Sequence, residues 1–455
     1  MIPSMIPSVI PGIIHLTGGI DVGNGYVKGV IKNTDTGTFD EIDLPSAVVS
    51  TSRPNPKVPL SDAEAPGVVT DSDAGGDFYN KLDCTMSTPL VTASDRRIFG
   101  RSALSVRGSK FTEFEVLGRH SKADQELSKV LVLGVFAAKA LRDHMAATGA
   151  LPDHELRVQV RAGLALPISE YVARRSAYAA EFTGASSGFA WLDPRVHLVT
   201  IKNFNTPVSV RLEFTDVQVL AEGASAQFAI TDKGEPLAKA LLEDLEAHGV
   251  RLEAITPADL VAAQNTIGVD VGEGTVNFPV FTDGRFNPEA AATLDQGYGT
   301  ALLNAMDRMS DGRPGGSSLA FTSRKQLADF LTHEPSVLQR DRHSWAKGFV
   351  EDEAAYLVTE IVSSFRDVVA QAGATTEIVY VYGGGSGPIK NLLYPALLKA
   401  VAHSGIPVLY LDAAYSRHLN REGLYIAARH VEELAEKNAS TNKNTQIAAE
   451  NAGAR

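Results

Sequence analysis

One pattern, present twice, limits what this chain can fold into more than any other. "GGIDVGNGYVKGVI" (Gly18–Ile31) is an apolar run tipped by Asp21, a turn of Gly23, Asn24 and Gly25, and a second apolar run entered through Lys28. "NTIGVDVGEGTVNFPVF" (Asn265–Phe281) repeats it, with Asp270 at the tip and Gly272, Glu273, Gly274 and Thr275 in the turn. Tight hairpins need positive φ angles, which Asn-Gly supplies, so a hairpin explains the glycines. It explains neither the acid before each turn nor the lysine after the first. Turns that gather backbone N–H groups suit phosphate, and two of them suggest two phosphate loops facing each other.

The rest of the chain agrees with an α/β fold. At 455 residues it exceeds the size at which one core keeps growing, so two domains of roughly 200 residues each are expected. Leu127, Val130, Leu131, Gly134, Ala138, Leu141 and Met145 recur at three- and four-residue steps, predicting a helix from about Asp124 to Thr148. "LRVQVRAGLALP" (Leu156–Pro167) then reads as a buried strand. Further on, a β-branched strand (Ile378–Tyr382) passes through Gly383, Gly384, Gly385 and Ser386 into a helix, a junction at which backbone comes close to a ligand and a helix N-terminus favours anions. The Pro-, Asp- and Gly-rich stretch from Pro45 to about Gly76 reads as loop within an inserted subdomain. A helix is expected from Arg421 to about Lys437, followed by a solvated polar tail.

Composition excludes several functions. A formal charge of −12 argues against direct wrapping by DNA or an anionic membrane, so any link to nucleic acid would pass through an adaptor. Cys84 is the only cysteine, which rules out an intrachain disulfide and a cysteine zinc cage and fits a reducing cytoplasm. "MIPSMIPSVIPGIIHL" has no Lys or Arg and repeats Pro, so it reads as an extended arm rather than a signal peptide. The apolar run Val130–Ala138 stops at Lys139, too short to span a bilayer. "GASSG" (Gly184–Gly188) fits a nucleophile-elbow string, but no buried strand leads into it. "GNGYVKG" is followed by a strand, not a helix, and is no dinucleotide fingerprint. The eleven histidines show no metal-ligand spacing, and no Walker A string exists.

What remains is an ordered set: acid-glycine hairpin, helix, "LALPISEY", "LAEGASAQ", a second acid-glycine hairpin, "DQGYGTALL" and "YGGGSG". In that order the chain resembles the actin, sugar kinase and heat-shock chaperone ATPase superfamily. Within it, "LPISEY" (Leu166–Tyr171) followed by a basic helix points to the ParM (StbA) type of plasmid-segregation actin. The likeness covers most of Ile20–His430. It implies an actin-like α/β fold, two related domains around a nucleotide cleft, each with a smaller subdomain. The boundaries would be an arm over 1–17, domain I over 18–220 with an insertion at about 44–118, domain II over 221–412, a helix over 413–437 returning to domain I, and a tail over 438–455.

The resemblance also assigns roles. Asp21 would lie near Mg²⁺ and its waters, Gly23, Asn24 and Gly25 would offer N–H groups to phosphate, and Lys28 would sit on the phosphates. Asp270 would face Asp21 and hold the Mg²⁺ through water, as suits a hard cation that dehydrates reluctantly, while Gly272, Glu273, Gly274 and Thr275 cradle the β/γ phosphates. Gly297 and Gly299, with Gly383, Gly384, Gly385 and Ser386, would contact ribose and adenine. Glu222 would orient the attacking water. One departure stands out: most relatives carry an acid seven residues after the second aspartate, where this chain has Asn277.

The function so implied is a cytoplasmic, filament-forming ATPase using ATP or GTP with Mg²⁺. Its partners would be copies of itself and a DNA-binding adaptor, with no direct nucleic acid and no membrane. A small-molecule kinase on the same fold would need an aspartate base amid polar sugar ligands, and no such cluster is visible. An ATP-gated scaffold or chaperone would need a terminal amphipathic helix or a substrate domain after these motifs. The arm, Met1–Gly12, would pack on a neighbouring subunit.

Overall fold

The computed structural model describes residues 12–51, 77–92, 94–106, 112, 114, 121–185, 193, 195–247, 249, 255–311, 319–411 and 413–433. The arm up to residue 11, the Pro-rich loop after residue 51, residues 186–188 of the elbow-like string and the polar tail lie outside them.

Two sheets organise the chain. The first contains β1 (Ile14–Val22), β2 (Tyr26–Asn33), β3 (Phe39–Pro45), β4 (Val48–Thr51), β5 (Asp83–Ser87), β6 (Arg96–Phe99), β7 (Leu156–Leu166), β8 (Val196–Ile201) and β9 (Val208–Ala221). Their order is β3-β2-β1-β7-β9-β8-β5-β6-β4. β1 is antiparallel to β2 and parallel to β7, and β7 is parallel to β9. Strands buried on both faces lose the alternation of an exposed sheet, and β1 is buried from Leu16 to Val22. Successive residues point to opposite faces. A Cβ on Gly18 would meet the Phe136 ring of the helix Glu126–Thr148, whereas one on Gly19 would collide with backbone at Arg421 and Tyr425, in the helix over 419–433. Only glycine at position 19 admits that helix to the sheet.

The second sheet contains β10 (Thr266–Val271), β11 (Val276–Phe278), β12 (Val280–Thr282), β13 (Arg285–Phe286), β14 (Ala292–Leu294), β15 (Ile378–Tyr382) and β16 (Val408–Tyr410). β10 is antiparallel to β11 and parallel to β15, which is parallel to β16. The series β2-β1-β7-β9 and β11-β10-β15-β16 therefore repeat one arrangement: a hairpin partner on one side, parallel strands on the other. Ile361, Phe365, Leu393 and Leu397, from the helices Arg340–Ala372 and Ser386–Ala400, belong to the core of this second sheet. A separate core of Leu302, Met309, Leu327, Ala346 and Val350 joins the helices Tyr298–Ser310 and Arg324–Thr332 to the start of Arg340–Ala372.

Four local expectations shift, the first being that Val48–Thr51, inside the stretch read as loop, is strand β4, paired antiparallel with β6. β1 begins at Ile14, inside the segment read as arm, because its apolar residues pair with β7. The long helix starts at Glu126, since Lys122–Asp124 form a separate 3-10 turn. The strands β5 and β6 of the inserted segment extend the main sheet through β8.

Candidate functional site

The carboxyl ends of β1, β9, β10 and β15 converge on one cavity of about 290 Å³, the place where open α/β sheets bind ligands. Pairing of Asp21 with Lys28 and of Val22 with Val27 leaves residues 23–26 to close the first loop, and Gly23 N–H donates to Tyr26 O at 3.0 Å. Asp270 pairs with Asn277 and Val271 with Val276, and Gly272 N–H donates to Thr275 O at 2.9 Å. Both loops are thus the same four-residue hairpin. The first is pinned by Ser46, whose N–H and Oγ donate to Gly25 O at 3.0 Å and Gly23 O at 2.6 Å. The second is pinned by Tyr298 and Gly299 N–H groups donating to Gly272 O at 3.0 Å and Glu273 O at 2.8 Å. The loops touch: a Cβ on Gly274 would strike the Asn24 amide, and one on Gly25 the Glu273 carboxylate. Among the described residues, the N–H groups of Asn24, Gly25, Glu273 and Gly274 meet no acceptor.

Five acids line the cavity, Asp21, Glu222, Asp270, Glu273 and Asp329, and the first three stand at or just past the ends of β1, β9 and β10. Asp270 Oδ2 accepts from Asn420 Nδ2 at 2.8 Å, and Asn420 Oδ1 in turn accepts from Ser225 Oγ at 2.9 Å. Burial pushes the Asp270 carboxyl up to about 7; the Asn420 hydrogen bond opposes this, and the Asp21 and Glu222 charges reinforce it. Glu222 follows β9, its N–H donating to Leu166 O at 2.7 Å. Its Oε1 accepts from Lys122 Nζ and its Oε2 from Asn277 Nδ2 at 3.2 Å. Burial raises the Glu222 carboxyl from its ordinary range, and Lys122 pulls it back. Burial works against the Lys122 ammonium as well, but Glu222, Asp21 and Glu170 outweigh it and hold that group above an ordinary lysine.

This network accounts for Asn277. Its Nδ2 donates to Glu222 and, at 3.3 Å, to Thr275 Oγ1, while its Oδ1 accepts from Thr293 Oγ1 at 2.9 Å. An ionised acid there could donate to nothing and would add a further charge beside Glu222 and Asp270.

Gly383, Gly384 and Gly385 also line the cavity. Gly383 has φ +97°, and a Cβ there would collide with the Asp270 carboxylate and the Val271 backbone. Gly385 N–H donates to Val271 O at 2.8 Å, and as the N-cap it starts the helix Ser386–Ala400 at the cavity wall. Ser386 is fully buried behind the wall, its Oγ donating to Gly383 O at 2.8 Å. Gly297 and Gly299 likewise lie behind the second loop, packed on the backbone of Gly272 and Glu273. The remaining predicted residues, Gly23, Asn24, Gly25, Lys28, Gly272, Glu273, Gly274 and Thr275, all face the cavity.

Sequence reasoning missed the far wall. Tyr298, Arg324, Lys325 and Asn420 line the cavity from helices, and Arg417 from the turn before the last of them, with a spacing that advertises nothing. The Tyr26 ring lies 5.8 Å from the Lys325 ammonium and 5.1 Å from the Arg417 guanidinium, and Lys325 Nζ donates to the Tyr26 hydroxyl at 3.1 Å. Arg324 pairs with Glu273 at 3.4 Å. Lys122 was missed because its partner lies 100 residues away in the chain.

No protein-family profile and no curated protein sequence matches this chain. Solved structures do resemble it. The actin-like protein Alp7A superposes with a TM-score of 0.60 at 15% identity, over 95% of this chain and 100% of that one. A ParM from Clostridium botulinum, solved in a 15-stranded filament, gives 0.54 at 15% identity over 91% and 99%. The archaeal actin homolog Ta0583 gives 0.53 at 15% identity over the same shares. With two sheets of one local topology meeting at paired acid-tipped hairpins, and with these likenesses along nearly its whole length, the chain has the actin-like fold.

Proposed function

We propose that this chain is a filament-forming actin-like ATPase that moves plasmid or other mobile DNA through an adaptor protein. One observation carries the reading: two identical hairpins from separate sheets touch across a cavity lined by Asp21, Lys28, Glu222 and Asp270. The residues present fit Mg²⁺ and a nucleoside triphosphate. An Asp270 carboxyl raised by burial and by the charges of Asp21 and Glu222 calls for a cation, and loop N–H groups without protein acceptors call for an anion. Asp21 and Asp270 would hold the ion through water, as suits a hard cation that dehydrates reluctantly. When bound, Mg²⁺ supplies charge neutralisation of the phosphates.

This chain's own residues do the rest. The loop N–H groups and Lys28 hold phosphate, the wall at Tyr298, Arg324 and Lys325 takes ribose and base, and Glu222 aligns a water or accepts its proton. Closing the two loops on one ligand couples nucleotide state to the arrangement of the two sheets, which is what a polymer needs in order to sense hydrolysis. The ParM filament supports self-association. The charge of −12 disfavours direct DNA contact and supports an adaptor, and no helix among the described residues is long and apolar enough to cross a membrane.

Light scattering and sedimentation with Mg-ATP or Mg-GTP test the proposal. Polymer should form with one or both and disperse on chelation of Mg²⁺. A chain that binds nucleotide yet stays monomeric at high micromolar concentration overturns it.

A further inference from the structure

Lys122 is 5% exposed, lies in the 3-10 turn Lys122–Asp124, and stands behind Glu222 rather than in the cavity wall. Its ammonium donates to Glu222 Oε1, and its backbone is clamped. Lys122 N–H donates to Glu170 Oε1 at 2.8 Å, Ala123 N–H and Ser121 Oγ donate to Glu170 Oε2 at 3.1 and 2.7 Å, and Ser128 Oγ donates to Lys122 O at 3.3 Å. Glu170 lies in the first turn of the helix Ile168–Thr183, which follows β7 directly.

That junction, Leu166–Glu170, also anchors the other groups around Glu222. Leu166 O takes the Glu222 N–H, and Ser169 N–H donates at 3.3 Å to Thr293 Oγ1, which orients Asn277. So one strand-to-helix corner fixes the backbone of Glu222, the lysine on one of its oxygens and the amide on the other. Each carboxylate oxygen keeps a second acceptor site, and Glu222 itself faces the cavity.

We propose that Lys122 is a positioning residue for Glu222, holding its carboxylate in the orientation that meets the attacking water, with the Leu166–Glu170 corner as the common frame. The inference rests on the reading that Glu222 acts in hydrolysis. Lys122 has no contact with the cavity through which to bind nucleotide, so its removal should change the chemical step and not affinity.

A double-mutant cycle on the full chain tests this by single-turnover phosphate release and by nucleotide Kd, with a melting curve for each variant. Glu222→Gln should slow release by about 10²–10⁴. Lys122→Met should slow it by about 10–100-fold, the scale of a misplaced catalytic group, with Kd within about twofold of wild type. The double variant should be no slower than Glu222→Gln alone, because Lys122 then has nothing to orient. If Lys122→Met does not fold, Lys122→Gln and the double variant carry the same comparison. Normal release in Lys122→Met with slow release in Glu222→Gln overturns the role of Lys122 alone. Additive losses in the double variant, or a Kd that rises with the rate loss, also overturn it. Normal release in Glu222→Gln refutes the role of Glu222 and the inference together.

Discussion

Replacing Asp270 by Asn should stabilise the ligand-free protein while removing its response to Mg-nucleotide. Asp270 is 5% exposed, and burial raises its carboxyl from 3.8 to about 7. Between those values the folded chain holds a proton that the unfolded chain has released, so stability falls as pH rises through that window, and the full cost is present above it. About three pKa units at 1.36 kcal/mol each set a ceiling of about 4 kcal/mol. Asn is nearly isosteric, can still accept from Asn420 and has no proton to lose. Thermal melts without nucleotide should therefore place Asp270→Asn several degrees above wild type at pH 8, at about 2–4 °C per kcal/mol, with the gap shrinking as pH falls toward 4. With Mg-ATP at 100 times Kd the wild type should gain about 2.7 kcal/mol and the variant much less. A variant less stable than wild type at pH 8 would show that the carboxylate's contacts outweigh its burial. A variant keeping the whole Mg-ATP shift would remove Asp270 from the metal.

Other outcomes follow from the same geometry. Glu222→Gln should still polymerise but release phosphate about 10²–10⁴ more slowly, so its filaments should outlive wild-type ones by microscopy; equal lifetimes at equal phosphate release would move the catalytic role elsewhere. Gly274→Ala places a methyl against the Asn24 amide and should push the loops apart, raising the radius of gyration in X-ray scattering and weakening nucleotide binding about tenfold or more. Unchanged scattering and affinity would mean that the loops do not close as described. Gly19→Ala should cost about 1–3 kcal/mol in denaturant unfolding by driving a Cβ into the helix over 419–433, and a cost below that would deny the close approach.

Much of the centre was legible from residue order alone. An acid, a glycine turn and an apolar return strand carry their own local physics, so both hairpins, the strand Ile378–Tyr382 and the glycine junction after it could be placed without knowing what surrounds them. Glu222 rests on a likeness, since a lone acid before glycine has no local signature; what the fold adds is that its carboxylate is held between a lysine and an amide. Asn277 looked like a departure in the sequence and becomes a hydrogen-bond donor only when Glu222 is brought beside it.

The determinants in the sequence are short-range: hairpin register, helix period and turn chemistry act over a few residues, and local physics suffices to read them. The rest depends on separations of tens to hundreds of residues. Lys122 meets Glu222, Asn420 meets Asp270, and Tyr26 meets Lys325, because two sheets and a returning C-terminal helix converge. No periodicity encodes such pairs. Tertiary packing alone decides which charges share a cavity, and therefore which acids are raised, which are paired and which are left to face a ligand.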